Sequence, residues 1–150
     1  MTIAKDIMET AVITVAPQTS IKELAEVLTK NKISGVPVVE SNYKLVGIVT
    51  EGDLLHKEVT PSVPMSYAPV FGGLASLKDF EKYKDDVKKL SAMTAEEIMT
   101  TKLFTVSEDA DIRLISSIMM NNNINRVPVV AGDKLVGIVS RSDVIKTLAE

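Results

Sequence analysis

Two short stretches carry residue types from which binding chemistry can be built. Thr50 stands three residues before Asp53, and Ser140 three before Asp143. Each pair follows the same block, Lys-Leu-Val-Gly-Ile-Val, at 44–49 and 134–139. An apolar run passing into hydroxyl-x-x-carboxylate marks a strand entering a helix. The plain role is a helix cap, in which the hydroxyl accepts from a free backbone N–H and the acid suits the dipole. A capping box prefers Glu or Gln at its third position, however, and both copies use the shorter Asp. A helix N-terminus behind a strand is also an anion site, because its unpaired N–H groups point outward. The hydroxyl can donate to a phosphate, and a carboxylate one turn on can accept both hydroxyls of a ribose cis-diol. With an apolar slot from Val12, Ile13, Ile33 and Val36 or their counterparts, the set describes a nucleoside phosphate pocket.

The two stretches belong to a duplication. Ile33 to Asp53 reads ISGVPVVESNYKLVGIVTEGD, and Ile124 to Asp143 reads INRVPVVAGDKLVGIVSRSD. Upstream, Ile7-Met8 aligns with Ile98-Met99 at an offset of 91, which falls to 90 after the turn. Two copies of this length are a duplicated domain half and not a solenoid. In the first copy Val12 to Val15 reads as a short strand ending at Pro17. Ser20 with Glu23 forms a capping box for a helix with Ile21, Leu24, Ala25 and Leu28 on one face, closed by Asn31. Val36–Val39 and Leu45–Val49 form a hairpin without clean alternation, so both faces should be covered. A second helix starts at Thr50. In the second copy Leu103–Val106 is the strand, Asp111 caps the helix, and Asn121-Asn122-Asn123 ends it. Thr94 and Glu97 form a further capping box ahead of Ile98-Met99.

The predicted architecture is therefore α/β (α+β): two pseudo-twofold-related β-α-β-β-α repeats packed through their sheets, at 1–57 and 95–150. The segment 58–94 is a connector, with an amphipathic helix carrying Leu77, Phe80, Tyr83, Val87 and Leu90. That helix either packs on the domain by its stripe, or docks a partner or lines a cleft.

Composition sets bounds on partners. At 150 residues the chain is one compact domain or two very small ones, and a repeat of about 55 residues is marginal alone. A net charge of −3 gives no general attraction for nucleic acid. The absence of Cys excludes disulfides and sulfur-bound zinc. No secretory pattern opens the chain, and no run approaches the roughly 20 apolar residues of a membrane helix. The expectation is a cytoplasmic protein with no nucleic-acid or membrane partner.

The tandem pattern resembles a pair of CBS domains, the Bateman module of regulatory proteins. The residues that carry the likeness are Asp6-Ile7-Met8 and Glu97-Ile98-Met99. With them go Ser34-Gly35-Val36-Pro37-Val38-Val39, Asn125-Arg126-Val127-Pro128-Val129-Val130 and the two Gly-Ile-Val-Thr/Ser-x-x-Asp segments. The resemblance covers both repeats and not the connector. It implies adenosine-containing ligands (AMP, ADP, ATP, S-adenosylmethionine, sometimes NAD-type or cyclic dinucleotides) held in clefts between the repeats. It implies one site joining Val12, Ile13, Ile33, Ser34 and Val36 to Ser140, Arg141 and Asp143. The twin joins Leu103, Phe104, Ile124 and Asn125 to Thr50 and Asp53. Arg126 is either a second phosphate contact or a surface Arg. Because Arg141 matches Glu51 in the other copy, the Ser140/Arg141/Asp143 site is expected to hold phosphorylated ligands more tightly.

Two other functions compete. An enzyme would pair Asp53 with Asp143 as an acid/base dyad, but each acid belongs to a helix start, and His56 is the single His. No catalytic residue, catalytic cofactor or metal site is expected. A structural dimerisation module would leave its clefts empty. The expected function is a regulatory sensor that forms a homodimer and acts through self-assembly or an unidentified effector protein.

Overall fold

The shared Lys-Leu-Val-Gly-Ile-Val block becomes the return strand of a hairpin in each repeat, and the helices are arranged on those hairpins. The computed structural model describes residues 1–58 and 93–150. The first repeat contains α1 (Ala4–Ile7), α2 (Ile21–Asn31), β1 (Gly35–Val39), β2 (Leu45–Thr50) and α3 (Glu51–Glu58). The second contains α4 (Ala95–Ile98), α5 (Ile112–Asn122), β3 (Arg126–Ala131), β4 (Lys134–Ser140) and α6 (Arg141–Leu148). β1 pairs antiparallel with β2 and β3 with β4, each with a register shift at the matching place, Val38/Val39 and Val129/Val130. All of β1 is buried, whereas β2 alternates toward its end, so only the first strand is fully covered on both faces. Except for its ends, the 58–94 connector lies outside the described residues.

Three local expectations change. The strands foreseen at Val12–Val15 and Leu103–Val106 shrink to single parallel bridges, Val15 with Val38 and Val106 with Val129. Val15 N–H donates to the Pro37 carbonyl at 3.0 Å, and Val39 N–H donates to the Val15 carbonyl at 2.9 Å. The next ladder donor would be the N–H of residue 37, and proline has none. Pro128 stops the second copy in the same way. At the end of α2 the left-handed residue is Lys32, φ 52°, and not Asn31. Asn31 stays helical, its amide donating to the Val27 carbonyl at 2.8 Å. The third change is at Thr94, whose hydroxyl donates to the Glu97 carboxylate at 3.0 Å but accepts no backbone N–H. The Glu97 N–H goes to the Thr94 carbonyl.

Other caps form as the sequence indicates. Ser20 Oγ accepts from Glu23 N–H at 3.2 Å, and the Asp111 carboxylate accepts from Arg113 N–H at 2.8 Å. Asn123 ends α5 in the left-handed region, φ 51°.

The repeats exchange their leading segments. α4, from the second copy, contributes buried Ala95 and Ile98 to a core with Leu24, Leu28, Val36, Val38 and Val49. α1, from the first copy, contributes Ala4 to the core of Ile115, Met119, Val127, Val129 and Val139. Backbone bonds fix the exchange: Glu9 bridges Ile138, and Thr100 bridges Ile48. The glycine of each shared block makes room for it. A Cβ on Gly47 would come within 2.7 Å of Met99 Cγ, and one on Gly137 within 2.8 Å of Met8 Cγ. A third bridge, Lys44 with Lys134, joins the two hairpins at equivalent residues, so the pseudo-twofold axis passes there.

Ile98→Ala should therefore cost about 2–5 kcal/mol, as for other fully buried large-to-small changes. Its local effect should appear in the first copy's hairpin. Hydrogen exchange should show amide protection falling in 35–50 before 126–140, and the reverse order would contradict the exchange.

Candidate functional site

Both helix starts close the cap that their sequence allows. Ser140 N–H donates to Asp143 Oδ2 at 2.8 Å, and Asp143 N–H returns to Ser140 Oγ at 3.3 Å. Thr50 N–H donates to Asp53 Oδ2 at 3.0 Å, and Asp53 N–H to Thr50 Oγ1 at 3.3 Å. The short Asp side chain thus completes a reciprocal box in both copies, using one carboxylate oxygen. Each hydroxyl also donates to that same oxygen, at 2.9 Å in the second copy and 3.2 Å in the first.

The second oxygen separates the two sites. Asp53 Oδ1 accepts from the Thr100 hydroxyl at 3.1 Å, and the Asp53 side chain is only 4% exposed. Asp143 Oδ1 makes no hydrogen bond among the described residues, and Asp143 is half-buried at a cleft wall. The difference traces to one aligned position. Thr100 corresponds to Glu9 at the offset of 91, and a glutamate cannot donate to a carboxylate as a threonine does. Glu9 instead accepts from the Ala11 N–H at 2.8 Å and lines the same cleft as Asp143.

Among the described residues, two clefts bring the helix start of one repeat against the other repeat. The first, about 460 Å³, brings Val12, Ile13, Ile33 and Ser34 against Ser140 and Asp143. The second, about 410 Å³, brings Leu103, Phe104, Ile124 and Asn125 against Thr50. Three expected residues stand elsewhere. Val36 is fully buried in the core, because strand residues alternate and Gly35 and Pro37 hold the cleft side. Arg141 is exposed and does not line the first cleft: it lies two helical positions before Asp143, roughly 200° away around the axis. Asp53 lies behind Thr50 and Thr100, which line the second cleft in its place. Glu51, the counterpart of Arg141, does line that second cleft.

Arg126 and Ser34 line both clefts. The Arg126 guanidinium donates to Ser34 Oγ and crosses the space beside Gly35, where a Cβ would come within 3.1 Å of its Cζ. Gly35 and Arg126 are equivalent positions facing each other, and the guanidinium fills the space that the glycine leaves. Burial pushes the Arg126 guanidinium below its ordinary pKa, and the charge of Glu51 acts in the opposite sense. The group remains a cation at neutral pH. Lys32 adds a cation at the first cleft and Lys102 one at the second.

The CBS domain family model matches residues 4–59 and 95–150. The chain belongs to the CBS domain family. The pair is similar to the uncharacterized protein MJ1426 of Methanocaldococcus jannaschii, 32% identical over 151 residues, covering 96% of this chain and 89% of that one. It is 28% identical to the chloroplastic CBS domain-containing protein CBSX2 of Arabidopsis thaliana over 88% of this chain, but spans 56% of CBSX2. Against a crystal structure of CBSX2 in complex with AMP the TM-score is 0.82 at 25% identity, with 99% of this chain and 97% of that one covered. The CBS domain pair of MJ0100, in complex with 5′-methylthioadenosine and S-adenosyl-L-methionine, gives 0.70 at 30% identity, over 99% and 97%. Among the described residues, no helix of this CBS pair is long and apolar enough to cross a membrane.

Sequence reasoning missed Glu9, Lys32 and Thr100 at the clefts. The alignment of the copies carried the signal for Glu9 and Thr100, since both follow directly on the Ile-Met pairs. Thr100→Val should lower the unfolding free energy by about 1.5–3 kcal/mol, the worth of a hydrogen bond to a charged group. Glu9→Gln should change it by less than about 0.5 kcal/mol, as for a surface site. Urea titration of both variants checks the contrast, and equal losses would contradict it.

Proposed function

We propose that this CBS pair is a regulatory sensor of adenosine-containing ligands, with the Ser140/Asp143 cleft as its tighter site. The observation that carries the reading is the half-buried Asp143 carboxylate, with one oxygen holding the helix start and the other unengaged at the cleft wall. That oxygen is the acceptor for a ribose diol. Ser140 and the N-terminus of α6 face a phosphate, and Val12, Ile13 and Ile33 offer an apolar wall to the base. A cleft of about 460 Å³ is in the range of small-molecule sites. Arg126 and Lys32 favour an anionic tail, which ranks AMP, ADP and ATP ahead of S-adenosylmethionine. Two similar CBS structures were solved with adenosine-containing ligands, which supports the class.

The sequence argument for inequality named Arg141 as the cause. On this reading the direction is the same and the cause is different: the second site is weaker because Thr100 donates to Asp53. The output passes through self-assembly or a partner protein. Leu114 and Met120 on α5, with Ile145 and Leu148 on α6, are exposed and support a homodimer.

Calorimetry and thermal shift with AMP test the reading. Saturation at a hundred times Kd should add about 2.7 kcal/mol of stability. Asp143→Ala should weaken AMP binding by at least about tenfold, through loss of charge-assisted bonds to the diol. Asp53→Ala should mainly lower stability. Equal losses of affinity, or no shift with any adenine nucleotide, would overturn the proposal.

A further inference from the structure

Arg126 stands on the pseudo-twofold axis and lines both clefts, and among the described residues it is the cation that does so. The duplication imposes this. Residues 35 and 126 are equivalent and face each other, and Gly35 brings no side chain to the space that the Arg126 guanidinium occupies. The clefts therefore do not each own a cross-axis cation. They share one, held between them by its bond to Ser34, which also lines both. The charge of Glu51, which lines the second cleft, favours its protonated form.

We propose that the two clefts are coupled through Arg126: an anionic ligand in one takes the guanidinium and weakens binding of an anionic ligand in the other. This rests on the sensor reading above, and it adds an interaction between the sites. A single guanidinium carries one positive charge, so a phosphate held against it in one cleft leaves less attraction for a phosphate in the other. The first phosphate neutralises the charge the second would meet. Uncharged nucleosides make no such demand on Arg126. For them the inequality between the clefts owes nothing to Arg126. The extra separation for a phosphorylated ligand should fall in the usual range of site coupling, about 5- to 150-fold.

The test is calorimetric titration of the full chain with AMP and, separately, with adenosine, on the wild type and on Arg126→Gln. In the wild type, the ratio of second to first dissociation constant should be at least about fivefold larger for AMP than for adenosine. In Arg126→Gln the AMP ratio should fall to the adenosine ratio. Adenosine binding by the variant shows that its clefts are intact, and the wild-type comparison needs no variant. Equal ratios for the two ligands, an AMP ratio unchanged in Arg126→Gln, or a single binding step for both ligands would each overturn the coupling while leaving the sensor reading in place. Binding of neither ligand would remove both.

Discussion

The clefts exist because each repeat's leading segment is hydrogen-bonded to the other repeat's hairpin. Glu9 pairs with Ile138 and Thr100 with Ile48, at backbone distances of 2.8–3.0 Å. Ile98 and Ala95 then fill the core under the first hairpin, and Ala4 lies under the second. A repeat of this size buries too little apolar surface to stand alone, and the exchange makes each core depend on both copies. It also fixes where chemistry can occur. Residues 9 and 100 lie beside the opposite copy's hydroxyl-x-x-carboxylate, so whatever they are decides how much of that carboxylate is available.

Duplication supplied two equal frameworks, and a few substitutions made them unequal. The capping bonds at Thr50/Asp53 and Ser140/Asp143 are nearly the same in length and pattern. Thr against Glu at the exchanged position leaves one acid engaged on both oxygens and the other on one. Gly against Arg at the facing positions leaves one guanidinium, which lines both clefts. Neither difference disturbs the hairpins, whose registers match residue for residue through the shared block.

Much of this was legible in the chain. The offset of 91 announced the copies, the Ser20 and Asp111 caps formed, and the hairpin of Val36–Val39 with Leu45–Val49 is in place. Six of the eight residues proposed around Ser140/Asp143 line one cleft: Val12, Ile13, Ile33, Ser34, Ser140 and Asp143. What the chain did not disclose is long-range. A repeat pattern does not say which hairpin a leading helix joins, so the exchange and the Thr100–Asp53 bond, 47 residues apart, were hidden. Val36 was misplaced because a strand buried on both faces carries no alternation to mark its cleft side. Arg141 was misplaced because nearness in sequence is not nearness around a helix. Lys32 took the left-handed position that Asn31 was expected to hold, through a one-residue shift at a helix end.

The central claim is that an adenosine ligand is held by the carboxylate that the fold leaves unengaged. A crystal structure of the chain grown with AMP tests it most directly. The account predicts AMP in the cleft of Val12, Ile33 and Ser140, with both ribose hydroxyls on Asp143. A ribose seated on Asp53 with the Thr100 bond broken, or AMP bound away from both helix starts, would contradict it.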